Sequence, residues 1–143
     1  MKKIIIMMAI LAATTMWAQE TKYPVEVKKL PHLALNNLKA YFPDVEVAEA
    51  YTTTQKIKDE FVVVLANSTM VVFDKHGQWS RVDANEGQIP DRMVDGRIKM
   101  NLTQNKLTSP VIKMAKDKKG NYEVTLQDGT VLNYDNQFKP ITQ

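Results

Sequence analysis

Residues 61–74 read FVVVLANSTMVVFD and residues 122–135 read YEVTLQDGTVLNYD; the two segments align without a gap at an offset of 61. Phe61 falls on Tyr122, Leu65 on Leu126, Thr69 on Thr130, Phe73 on Tyr134 and Asp74 on Asp135. Upstream, Leu30-Pro31 opens one apolar-periodic stretch and Ile89-Pro90 opens another. A proline-initiated helix followed by strands around a tight turn thus occurs twice, and internal repetition constrains architecture more than any single motif. The expected fold class is α+β. Two tandem helix-plus-antiparallel-hairpin repeats, residues 30–83 and 89–141, would form one curved antiparallel sheet with helices packed on one face.

Side-chain alternation decides the register of each hairpin. In the second, a two-residue Asp128-Gly129 turn would send Leu132 and Tyr134 to the face opposite Leu126. A three-residue loop, Gln127 to Gly129, instead puts Tyr122, Val124, Leu126, Thr130, Leu132 and Tyr134 on one side and sets Gly129 at a left-handed bulge position. The same rule in the first copy aligns Phe61, Val63, Leu65, Thr69, Val71 and Phe73. Ser68 then occupies the bulge position, with a strain that glycine would relieve. The helices are read from Pro31 to Phe42-Pro43, with Ala34, Leu38 and Tyr41 on one face, and from Pro90 through Val94, Ile98 and Leu102. Gly96 would weaken the second helix. A last short strand is expected after each hairpin, near Trp79 and near Phe138.

The opposite faces of the two hairpins differ. In the second, that face carries Glu123, Thr125, Val131 and Asn133, as suits a strand pair with water on one side. In the first it carries Val62, Val64, Met70 and Val72. Two readings stand: the first hairpin is central and covered on both sides by helix, leader or dimer mate, or it is an apolar floor for a partner.

Residues 1–18 read as a signal peptide: Lys2 and Lys3, an apolar run from Ile4 to Ala13, and Ala18 as the last residue before cleavage. The run is shorter than the ~20 residues that cross a bilayer, so no stable membrane anchor is expected after cleavage. With no cysteine in the chain, anchoring through a lipidated cysteine, disulfides and thiol chemistry are excluded. Residues 19–29 read as an extended leader or a short edge strand, and 30–143 as a single domain. The chain has 19 basic and 16 acidic residues; losing Lys2 and Lys3 with the signal leaves a net of +1. No basic stripe interleaved with aromatics suggests nucleic acid, and Lys116, Lys118 and Lys119 read as the solvated tip of a loop.

Candidate chemistry is sparse. His32 falls in the first turn of a helix and His76 in a turn, with Asp74 two residues before it. Zinc sites usually need three or four ligands, so no metal and no cofactor is expected. Asp74 and Asp135 read instead as acceptors for turn amides. Ser68, Ser80 and Ser109 lack an elbow motif or a neighbouring base. Trp79 and Phe138, each following a hairpin turn, read as core aromatics at the same place in both copies.

The order Leu30-Pro31, Phe42-Pro43, Phe73-Asp74, Gly77-x-Trp79, Ile89-Pro90, Tyr122-Glu-Val and Asp128-Gly129 resembles the PepSY-like, β-lactamase-inhibitor-like exported proteins of Bacteroides-type bacteria, over roughly Leu30 to Ile141. The resemblance implies one PepSY-like domain with a helix-plus-sheet unit present twice, and no catalytic residues. It also implies docking on a protein through the sheet face with Val62, Val64, Met70 and Val72 and the loops with Asn67, Ser68, Asp128 and Gly129. The expected function is therefore a periplasmic or secreted, non-catalytic module that engages a protein, an enzyme it restrains being one case. Two alternatives stay open: a ligand-binding or enzymatic site near Asp74, His76 and Trp79, and a self-associating envelope protein, for instance a homodimer.

Overall fold

The computed structural model describes residues 21–54 and 59–141; the expected signal peptide lies outside them. Among these residues, eight strands form one antiparallel sheet in which each strand pairs with the next along the chain. They are β1 (Tyr23–Pro24), β2 (Val47–Thr52), β3 (Glu60–Leu65), β4 (Met70–Asp74), β5 (Trp79–Asp83), β6 (Val111–Lys116), β7 (Tyr122–Leu126) and β8 (Val131–Tyr134). Two α-helices accompany them, α1 (His32–Tyr41) and α2 (Gly96–Gln104).

Helix α1 begins directly after Pro31 and buries Ala34 and Leu38, one turn apart. It ends where Pro43 disfavours helical backbone for the residue before it; Phe42 leaves the helix with φ −133. Helix α2 differs from expectation at its start. Pro90 leads only into a short 3-10 turn, Asp91–Met93, and the α-helix begins at Gly96. The reason is Asp95, whose carboxylate accepts from the Arg97 N–H at 2.8 Å and satisfies a free donor of the first turn. Val94-Asp95, not Ile89-Pro90, therefore stands where Leu30-Pro31 stands before α1. The first helix likewise follows a 3-10 turn, Val27–Lys29. Gly96, at the first helical position, does not carry the interior cost expected of it.

Both hairpins take the three-residue register. Phe61 pairs with Phe73 and Val63 with Val71, while Tyr122 pairs with Tyr134 and Val124 with Leu132. The closing bonds run from the Leu65 N–H to the Thr69 carbonyl and from the Leu126 N–H to the Thr130 carbonyl, both at 2.8 Å. Ser68 and Gly129 hold the left-handed corners at φ 71 and φ 94. The preceding strands share an irregularity: β2 shifts register between Val47 and Glu49 against β3, and β6 shifts between Val111 and Lys113 against β7.

After the hairpins the two halves diverge. Strand β5 follows the first, with Trp79 opposite Phe73. After the second, the described residues show a bridge from Tyr134 to Pro140 in place of the expected strand. At the other end, the edge-strand alternative for residues 19–29 holds at Tyr23 and Pro24, which pair with Thr52 and Tyr51. Pro24 sits on an edge strand, where its missing donor is tolerated.

One buried cluster joins Ala34 and Leu38 of α1 and Ile98 and Leu102 of α2 to the sheet residues Phe61, Val63, Leu65, Val71, Phe73, Val82, Met114, Val124, Leu126 and Tyr134. Those sheet residues are alternate positions on their strands, so one face of the sheet belongs to this core. A second, separate cluster lies on the other face.

Candidate functional site

The second cluster is built from Tyr51, Val62 and Val72, only 6%, 8% and 2% exposed, with Val64 and Met70 half-buried against them. Strand pairing arranges this face as two rows. One runs Tyr51, Val62, Val72, Arg81, Ala115, Glu123, Asn133, and its neighbour runs Glu49, Val64, Met70, Asp83, Lys113, Thr125, Val131. Each row is apolar across β3 and β4, the first extending to Tyr51 of β2, and is bordered on β5 by a charged residue, Arg81 or Asp83, with Ala115 and the exposed Val131 the apolar residues farther out. Ion pairs flank the exposed apolar pair on both sides, Lys22 to Glu49 at 3.5 Å and Lys113 to Asp83 at 3.6 Å. Lys22 also lies 4.7 Å over the Tyr51 ring. The apolar set expected from the sequence is thus gathered in one patch: Val62 and Val72 form its closed floor, and Val64 and Met70 its accessible part. Tyr51 was not foreseen. Its signal was its alternation with Glu49, but no tight turn ties β2 to β3 in the sequence, so its row could not be assigned.

The two loops lie at one end of the sheet, since β3 and β7 run in the same direction through four antiparallel steps. In the first, Asn67 Oδ1 accepts from the Thr69 N–H at 3.0 Å and the Ser68 carbonyl accepts from the Asn85 amide. In the second, Asp128 Oδ1 accepts from the Thr130 N–H at 3.0 Å, and the Asp128 N–H donates to Ser109 Oγ. That bonding holds the Asp128 carboxyl below its usual pKa. Asn67 and Asp128 are therefore turn-formers first.

At the opposite end, Asp74 accepts from the His76 and Gln78 N–H groups, and Asp135 from those of Gln137 and Lys139. This is the turn role expected of both. His76 is exposed at the turn, and among the described residues no three His, Cys, Asp or Glu side chains converge as metal ligands would.

Trp79 turns elsewhere. Its ring lies 6.3 Å from Tyr122, which stacks on Phe138 at 4.8 Å. Trp79 and Phe138 do not occupy equivalent places: Phe138 takes the left-handed corner, φ 64, that Gly77 takes 61 residues earlier, φ 90. The Lys116 ammonium sits 4.0 Å over the Trp79 ring. Lys116 is thus half-buried and not part of a solvated tip; burial pushes its pKa down, against the attraction of Asp74. These groups line a cleft of about 210 Å³, together with Tyr41 and Arg92.

Among the described residues no helix is long and apolar enough to cross a membrane. The model of the family described as "Putative beta-lactamase-inhibitor-like, PepSY-like" matches residues 59–142. Three crystal structures are similar. One, of a "putative calcium-regulated periplasmic protein" of Bacteroides thetaiotaomicron, is 32% identical with a TM-score of 0.78, covering 85% of this chain and 94% of that one. A second, of a "putative periplasmic protein" of the DUF2874 family from Bacteroides vulgatus, is 31% identical with a TM-score of 0.77, covering 87% and 97%. A third, described as a "putative periplasmic protein of unknown function" from B. vulgatus, shares the fold at 22% identity and a TM-score of 0.76, covering 85% and 98%. No match was found among curated proteins. With the family model spanning more than half of its length and two Bacteroides structures above 30% identity, this chain belongs to the PepSY-like family.

Proposed function

We propose that this chain is an exported, non-catalytic binding module that engages a protein partner through the outer face of the sheet. The observation that carries the reading is the patch on β3 and β4. Val64 and Met70 lie side by side, half-exposed, over a closed apolar floor and between two ion pairs. Interaction sites combine an apolar centre with a polar rim in this way. Export is supported by the apolar, lysine-led N-terminus and by the periplasmic descriptions of the neighbours. An inhibitory role fits the family description: an enzyme docked on the patch, with Asn67-Ser68 and Asp128-Gly129 framing one end, would be restrained by occlusion.

The same reading treats the molecule as two copies of one unit. Its support is the matched bulges in β2 and β6, the identical hairpin registers, and the 3-10 turn before each helix. In that view the first copy holds the partner and the second, with Glu123, Thr125, Val131 and Asn133 in the corresponding places, faces water.

The test is capture from the producer's periplasmic fraction by the immobilised chain and by its Val64→Lys and Met70→Lys variants, with circular dichroism on each. The reading expects both variants to keep their fold and lose the captured protein. Unchanged capture by both folded variants would sink it. A patch that binds only a second copy would show as a dimer in light scattering that both variants dissolve, and would replace the proposal.

A further inference from the structure

The face that carries the helices has a second feature, independent of the docking patch. The cleft at the end of the sheet away from Asn67 and Asp128 is bounded by Tyr41 at the end of α1, Arg92 in the 3-10 turn, and Trp79, Lys116, Tyr122 and Phe138. At about 210 Å³ it is smaller than the roughly 300–1,000 Å³ of clefts for drug-sized ligands. One ring with a short substituent suits that space. The wall is a run of three aromatics: Trp79 tilted by 55° to Tyr122, and Tyr122 stacked at 28° on Phe138.

The charge in the cleft is unbalanced. Asp95 is its carboxylate, and it is already committed: it accepts from the Arg97 backbone at 2.8 Å and from the Arg97 guanidinium at 3.0 and 3.3 Å. Arg97 itself stacks on the outer side of this wall, 4.3 Å from the Phe138 ring. Lys116 and Arg92 are left over. Among the described residues neither forms an ion pair within 4.0 Å. Arg92 donates to the Ala40 carbonyl, at 3.5 Å. Lys116 faces the rings of Trp79 and Tyr122, at 4.0 and 5.9 Å, and Asp74 attracts it only from beyond ion-pair distance, too weakly to offset its burial. A half-buried ammonium with ring faces for partners has lost water that those faces only partly replace. A carboxylate arriving between Lys116 and Arg92 would restore a charge-assisted hydrogen bond.

We infer that this cleft binds a small aromatic carboxylate, its ring against Trp79 and Tyr122 and its carboxylate between Lys116 and Arg92. The ligand is a free aryl acid or the C-terminal aromatic residue of a peptide, which share this chemistry. Among the described residues the first half of the molecule has no such place. The β2 residue corresponding to Lys116 is the buried Thr52, and the corner corresponding to Phe138 is Gly77.

The chain has two tryptophans, of which Trp17 leaves with the signal peptide, so Trp79 is the sole tryptophan after cleavage and red-edge excitation selects it over the tyrosines. Titration with benzoate should change its emission saturably. Benzamide and acetate, which lack the charge and the ring respectively, should bind at least about tenfold more weakly, the scale of a lost charge-assisted bond or aromatic contact. Lys116→Met should weaken benzoate to the same extent, and Lys116→Arg should recover part of it. Arg92→Gln, at an exposed position, gives the same electrostatic reading should Lys116→Met fail to fold. The peptide Gly-Gly-Phe and its C-terminal amide separate the two sources: binding of the free peptide but not the amide assigns a peptide terminus, and binding of benzoate alone assigns a free acid. Equal affinity for benzoate and benzamide, or no saturable change with either benzoate or Gly-Gly-Phe, would overturn the inference.

Discussion

The Tyr134 hydroxyl donates to Asn101 Oδ1 across 2.8 Å, fastening the last strand to α2. Tyr134 is fully buried and its partner Asn101 half-buried, and burial raises the tyrosine's pKa, so it remains a donor throughout the neutral range. Its counterpart one hairpin earlier, Phe73, has no hydroxyl. There Asn37, which stands in α1 where Asn101 stands in α2, donates to the Gly77 carbonyl at 3.4 Å instead. Tyr134→Phe should therefore fold, as Phe73 does in the same surroundings, and lose about 1 kcal/mol, the worth of one hydrogen bond whose acceptor is left bare. Urea unfolding measures it; an unchanged midpoint would mean that water takes the place of the hydroxyl.

Gly77 and Gly129 have similar backbones, φ 90 and φ 94, and opposite surroundings. A Cβ on Gly77 would meet the Ala34 nitrogen at 2.7 Å, whereas a Cβ on Gly129 meets nothing within 4 Å. Gly129→Ala should cost about 1 kcal/mol, the left-handed penalty alone. Gly77→Ala should cost clearly more, because the turn after β4 must move away from α1. Equal losses in thermal unfolding would show that the turn relaxes freely.

Ser68 holds the corner that Gly129 holds in the other hairpin, at φ 71 and without the freedom of glycine. Ser68→Gly should raise the melting temperature, the relief of roughly 1 kcal/mol of strain exceeding the extra freedom given to the unfolded chain.

Asp117, Asp128 and Asp135 all titrate below the usual aspartate value, chiefly because backbone N–H groups bond their charged forms. A carboxyl with a depressed folded-state pKa stabilises the fold above its unfolded value, about 3.9, and that stability is lost as pH falls through the folded-state value. Asp135→Asn keeps the acceptor and removes the charge. The variant should melt below the parent at neutral pH, and the gap should close in acid. A gap of constant size from neutral pH downward would contradict the assignment.

Local rules made much of the fold legible. The hairpin registers followed from alternation, and Ser68 and Gly129 from the three-residue loops they imply. The end of α1 followed from Pro43. What could not be read was set by contacts between distant segments or by competing local signals. Pro90 gave a start signal as strong as Pro31, yet the cap that begins α2 is Asp95. Tyr51 was hidden because the amino-acid sequence between β2 and β3 carries no tight-turn signal that would set their register. The aromatic cleft was hidden for the same reason. Trp79, Lys116, Tyr122 and Phe138 come from three strands and a turn, and only Tyr122 belongs to the repeated segments.

Because every strand pairs with the next one along the chain, little of the sheet depends on closing long loops. The widest gap between paired strands is residues 84–110, which carry α2. Chain topologies of this kind have low contact order and fold quickly, since the entropy of bringing partners together is small at each step. Strands can find their partners in the order in which they are made, and the apolar residues of β3 and β4 need wait only for the next hairpin, not for the end of the chain.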